Sequence, residues 1–131
     1  MLRKITLAAL LAGAATLPAL AQGAACTAPA VPAMADPAKG TVDQMRAMLT
    51  SAQGFITASD TYQTCLGQDI ANQKAAATPD KPFDPAIEKA DMDKASANQA
   101  MKEKVGADAT AVLNLFKKAH KCDGKPLASC S

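Results

Sequence analysis

TPDKPFDP, residues 78–85, is the stretch that decides the fold. Pro79, Pro82, Asp80 and Asp84 cannot continue a helix, and the length of the stretch suits a connection between antiparallel helices. Asp84-Pro85 then restarts a helix, with the aspartate as N-cap and the proline at the first helical position.

Upstream of this punctuation, a helix is expected over about 41–77. Thr41 is a suitable N-cap, and Asp43 places a negative charge in the first turn, where it complements the helix dipole. Met45, Leu49, Ala52, Ile56, Ser59, Leu66 and Ile70 recur at helical steps, with Met48, Phe55 and Tyr62 as a second line beside them. Gly54 and Gly67 weaken this helix by roughly 1 kcal/mol each relative to alanine, so a mild bend is expected at either.

Downstream, a second helix is expected over about 85–121. Its stripe reads Ile87, Ala90, Ala97, Met101, Val105, Val112, Phe116 and Ala119, with Asp91, Lys94 and Asn98 making the middle of the face polar. Lys117, Lys118 and Lys121 sit where cations suit the dipole, and Gly124 and Pro126 are expected to end the element. The fold class that follows is all-α: an antiparallel two-helix hairpin with a short C-terminal tail. Each helix would be roughly 50 Å long at 1.5 Å per residue. With aromatic residues at only 3%, the pair buries a seam rather than a globular core, and bodies this thin often need staples.

Residues 22–40 contain Pro29, Pro32 and Pro37 and read as an extended, proline-rich N-terminal arm with polyproline character. Before it, residues 1–21 read as a secretory signal peptide. Arg3 and Lys4 supply the positive start, Ile5 to Leu17 the apolar run, and Ala19-Leu20-Ala21 the small-residue cleavage site. The apolar run is shorter than the roughly 18–20 residues that span a bilayer, so no membrane span is expected after cleavage. Removal of the leader leaves 12 basic residues against 12 acidic ones. That balance, without a basic patch interleaved with aromatics, argues against nucleic-acid binding. The expected location is the periplasm or the exterior of the cell.

An even number of cysteines in an exported chain reads as disulfides. The four are Cys26, Cys65, Cys122 and Cys130. With the turn centred near Lys81, Cys65 falls opposite about Ala97, roughly 35 Å of helix from the open end of the hairpin. The tail from Cys122 to Cys130 spans at most about 29 Å, whereas the chain from Cys26 to Thr41 can stretch about 50 Å. Reach therefore favours Cys26 with Cys65 and Cys122 with Cys130, the first pair anchoring the returning arm. No C-x-x-C is present, which argues against a thiol redox role. A lipoprotein cleavage before Cys26 would want a leucine-like residue where Gly23 stands.

Chemistry is sparse. His120 and Cys122 are the candidate metal ligands, but a copper or zinc site wants more donors, so no metal and no cofactor are expected. Met45, Met48 and Met101 read as seam residues rather than a metal-binding set. Glu88, Asp91 and Asp93 interleave with Lys89 and Lys94 and read as a solvated face of mixed charge. Ser59-Asp60 has no histidine beside it, so no triad is built. Tyr62 is expected to pack on the arm. No catalytic residue is assigned, and the protein is not expected to be an enzyme.

The leader, the arm, "FITASDTYQTCL" (residues 55–66) and "ANQAMKEKVGADATAVLNLFKKAH" (residues 97–120) together resemble small exported helical proteins of proteobacteria of uncharacterised function. The resemblance implies export and a helical hairpin and carries no catalytic residue across. The function expected is a binding or interaction module of the cell envelope that contacts an envelope protein, a polymer or a second copy. A small-ligand or metal-binding protein and a lipid-anchored protein tethered at Cys26 are the alternatives.

Overall fold

The computed structural model describes residues 26–130. The expected signal peptide, residues 1–21, and the first residues of the expected arm lie outside them. The architecture is a helical hairpin. Helix α1 spans Val42–Ala75 and helix α2 spans Pro85–Ala119, and the two pack against each other. A short 3₁₀ turn, Leu127–Ser129, follows. Among the described residues no strand forms. No helix there is long and apolar enough to cross a membrane.

Both helix starts are written in side-chain chemistry. Thr41 Oγ1 accepts from the Gln44 backbone N–H at 3.2 Å, and the Thr41 N–H donates to Gln44 Oε1 at 2.8 Å. This reciprocal capping box satisfies two of the orphan donors of the first turn. Asp84 Oδ1 accepts from the Ala86 N–H at 2.9 Å, with Pro85 following it. Just ahead of α1, a Cβ on Gly40 would lie 2.5 Å from Met45 Cε and 2.6 Å from the Asp36 carbonyl oxygen. Gly40→Ala is therefore expected to destabilise the fold by about 1–3 kcal/mol, read as a lowered urea midpoint.

Between the helices, Thr78 and Lys81 exchange two backbone hydrogen bonds of 3.0 Å around Pro79-Asp80, making the reversal tight. Lys74 braces it, donating to Glu88 Oε1 at 2.7 Å across the helices and lying 5.4 Å from the centre of the Phe83 ring.

The closure of α2 differs from expectation. α2 ends at Ala119 with His120 as its cap, close to the expected end near Lys121, but the left-handed residue that closes it is Lys121, with φ 53°, and not Gly124, whose φ of 71° lies beyond it. The Cys122 N–H donates to the Lys117 carbonyl at 2.9 Å and the Lys121 N–H to that of Lys118 at 3.3 Å. This is a Schellman closure, in which the residue after the left-handed position turns its side chain back onto the helix. That residue is Cys122, which is buried and bonded to Cys130.

The buried residues of α1 are Met45, Met48, Ala52, Phe55, Ser59, Tyr62 and Leu66. Steps of three and four alternate without a break, the heptad rule for two helices wound around each other. Leu49, Ile56 and Ile70, which the sequence placed on the main stripe, instead flank the seam and are half-buried. On α2 the seam runs through Asp91, Asn98, Val105, Ala109 and Phe116. The apolar stripe expected for its first half is wrong by about one residue. Ile87, Ala90, Ala97 and Met101 are exposed, as is Ala119 near the end. The seven-residue repeat set by Val105, Val112 and their partners continues into the first half, and it carries polar side chains into the interface there.

The main hydrophobic cluster thus lies toward the open end of the hairpin, with Tyr62 and Leu66 buried farther along α1. Met45, Met48, Ala52 and Phe55 of α1 pack there with Val105, Ala109 and Phe116 of α2 and with Cys122 and Cys130. Met34 and Ala35, from the segment before α1, pack against the same cluster.

Candidate functional site

The half of the seam nearer the turn carries hydrogen-bonded polar side chains beside the buried Tyr62 and Leu66. Asn98 Nδ2 donates to Ser59 Oγ at 3.3 Å, and Gln63 Nε2 donates to Asn98 Oδ1 at 3.0 Å and to Gln99 Oε1 at 3.3 Å. Lys102 Nζ donates to Asp60 Oδ1 at 2.6 Å. These bonds fix the register, because a slip by one residue separates every partner. Asn98→Ala is expected to cost about 1–3 kcal/mol, since it leaves the buried Ser59 hydroxyl without its Asn98 partner beside an empty site. The double change Ser59→Ala/Asn98→Leu is expected to be near neutral, because both buried polar partners go together. Urea unfolding of the two variants checks the pair.

Asp91 lies buried in the seam, and Lys94 Nζ donates to its Oδ1 at 2.7 Å. That hydrogen bond, and then the charge of the same carboxylate, raise the Lys94 ammonium above its ordinary value of 10.5. Partial desolvation opposes the shift, and Tyr62 and Asp69 add to it. The folded value lies above the unfolded one. The contribution of the pair is therefore complete below about 10.5 and is lost as pH rises through the folded value. The stability difference between the native protein and Lys94→Met is expected to stay level from about pH 7 to about pH 9 and to shrink in more alkaline solution. Urea midpoints of both proteins across that range measure it.

The two flanks of the seam differ. On one, Ala28, Pro29 and Val31 of the N-terminal segment share a shallow groove of about 280 Å³ with Phe55, Tyr62 and Met101. A second groove, about 540 Å³, runs where Pro32 to Gly40 meet Gln44 and Met48. Cys26 is bonded to Cys65 on this flank, with Cα atoms 5.8 Å apart. On the other flank, Gln63 meets Gln99. Leu49, Ile56 and Ile70 stand at seven-residue intervals in line with Gln63, and Met92 and Leu113 likewise in line with Gln99. These five apolar residues are half-buried, except Met92, which is 60% exposed.

The structure scatters the residues that the sequence offered for chemistry. Glu88 pairs with Lys74, Asp93 with Lys89 and Asp91 with Lys94, so each carboxylate of that trio has its own cation. Ser59 is enclosed in the seam, whereas Asp60 points outward to Lys102. Tyr62 is buried on the seam face of α1 and lines the same groove as Ala28, Pro29 and Val31. Met45 and Met48 are core residues, and Met101 is 38% exposed at the groove. His120 caps α2 and stacks on Phe116 with ring centres 4.2 Å apart. The Cys122 sulfur is bonded to Cys130 and so is no thiolate for a metal. Among the described residues, no three His, Cys, Asp or Glu side chains gather as a metal site. Sequence reasoning missed Gln44 as the second half of the capping box, although T-x-x-Q is its signature. It also missed Gln63 and Gln99, whose heptad spacing from the seam was the available signal.

Fold and seam together define a disulfide-braced helical hairpin with one flank bordered by the N-terminal segment and one open. In comparison with known proteins, no family model, no curated protein and no solved structure matches the chain.

Proposed function

We propose that the protein is an exported, periplasmic interaction module of the cell envelope, binding a protein or polymer along the flank of its hairpin. The observation that carries this reading is the open flank. Leu49, Ile56, Ile70, Met92 and Leu113 line it, and the Gln63–Gln99 amide pair lies between them. An elongated row of apolar side chains interrupted by a hydrogen-bonding pair suits a partner that lies along the helices. Export is supported by the leader-like start of the sequence and by two disulfides, which persist in oxidising compartments. A thioether lipid on Cys26 and the Cys26–Cys65 bond exclude one another, and intact mass under non-reducing conditions separates them.

Crosslinking in intact envelopes, with light scattering on the purified protein, tests the reading. The expected result is a crosslinked partner or a second copy, whose yield falls in Ile56→Asp/Leu113→Asp while helix content is kept. A strict monomer with nothing crosslinked, or a yield indifferent to those changes, would count against it.

A further inference from the structure

We propose that Cys26–Cys65 is a releasable clasp. Its reduction by an external dithiol frees residues 26–31 from the hairpin and uncovers the flank beside Phe55 and Tyr62, while Met34 and Ala35 stay on the core and Cys122–Cys130 stays closed. The inference stands on the contrast between the two bonds and does not depend on the interaction reading above.

Cys122 and Cys130 are 2% and 7% exposed and belong to the hydrophobic core, whereas Cys26 and Cys65 are only half-buried. Thiol–disulfide exchange needs a thiolate to reach a sulfur in line, so access sets the order in which bonds open. Position points the same way. Cys65 is one residue before Leu66 and off the seam line of α1, so pairing of the helices does not run through it. Cys122 is the residue folded back by the Schellman turn, and opening its bond disturbs the core itself.

The segment tied by Cys26 has an independent pivot. The Asp36 Oδ1 atom accepts from the N–H groups of Ala38 and Lys39, its carbonyl accepts from Gly40, and the capping box follows at Thr41. None of these contacts needs the distant sulfur bond. Between pivot and clasp, Ala28, Pro29 and Val31 border the groove over Phe55 and Tyr62, which are 5% and 8% exposed with the segment in place.

The step balances as a two-electron exchange. One thiolate of the dithiol attacks a sulfur of Cys26–Cys65, breaking that bond and forming a mixed disulfide. The second thiol of the reductant displaces the remaining protein sulfur. The dithiol leaves as its own disulfide, and its two protons end on Cys26 and Cys65.

The test uses the full folded chain, titrated with dithiothreitol, pulse-alkylated and mapped by mass spectrometry. Cys26 and Cys65 are expected to become labelled at least about tenfold faster than Cys122 and Cys130. Tyr62 is the single tyrosine of a chain without tryptophan, so its fluorescence quenching by acrylamide reports the uncovering. Quenching is expected to rise as the clasp opens, with the helical circular dichroism retained. Cys26→Ser/Cys65→Ser is expected to show the quenching of the reduced protein without any reductant. Simultaneous opening of both bonds, prior opening of Cys122–Cys130, loss of helix along with the clasp, or a double variant quenched no more than the oxidised protein would each overturn the proposal.

Discussion

Phe116→Ala is expected to lower the free energy of unfolding by about 3–5 kcal/mol. Phe116 is 1% exposed, heads the largest fully buried side chains and lies in the one hydrophobic cluster of the hairpin. It also stacks on His120, the cap of α2, and so supports the turn that folds Cys122 inward. Neighbouring layers cannot close over the vacancy, because the helices on either side are held in register by the polar bonds farther along the seam. Total stabilities of domains are only about 5–15 kcal/mol, so a loss of this size takes a large part of it. Leu115→Ala is the control. That side chain is 55% exposed, and its removal is expected to change stability by no more than about 0.5 kcal/mol. Urea unfolding followed by circular dichroism measures both. Equal effects for the two would mean that the cluster is not where the stability lies.

Removal of the clasp as Cys26→Ser/Cys65→Ser is expected to cost about 4 kcal/mol, whereas a nine-residue loop of the kind closed at the C-terminal end is worth about 2–3 kcal/mol in the same chain-entropy account. The bonds join residues 39 and 8 apart in sequence. The longer loop restrains more of the unfolded chain, and that restraint is the source of the difference. Burial works in the opposite direction, since alanine at positions 122 and 130 also removes two core side chains. The chain-entropy order is therefore visible only once the loss at the core is subtracted. Urea midpoints of Cys26→Ser/Cys65→Ser and Cys122→Ala/Cys130→Ala, each with and without reductant, provide the comparison, because the difference between the reduced native protein and the reduced alanine variant is the loss at the core. Clasp removal that leaves the midpoint unchanged would show that the unfolded chain is already compact over residues 26–65.

Much of this architecture is legible in the residues. Pro79, Pro82 and Asp84-Pro85 state the reversal, Thr41 and Asp84 state the two starts, and chain reach distinguishes the sulfur partners available to Cys65. The face of α2 is harder to read, and the cause is specific. Ile87, Ala90, Ala97 and Met101 form a respectable apolar stripe, yet all four are exposed. Asp91 and Asn98 take the buried line because they continue the seven-residue spacing of Val105 and Val112, and each finds a partner there. Hydropathy in one window cannot weigh hydrogen bonds made to another helix about 40 positions away, as between Asn98 and Ser59. For the same reason the open flank is hidden in sequence. Gln63 and Gln99 declare it only once the helices are laid side by side. Lys121 likewise gives no hint of a left-handed turn, since that conformation ordinarily belongs to glycine or asparagine.

The unequal seam gives the molecule a sticking end and a breathing end. The oily cluster that includes Met45 and Phe116 holds the mouth of the hairpin, while beyond the buried Leu66 the tip near Thr78 rests on polar contacts such as the Lys74–Glu88 ion pair that water can replace. Opening should therefore begin at the loop and travel toward the mouth, like a clothes peg sprung at its jaws rather than its hinge.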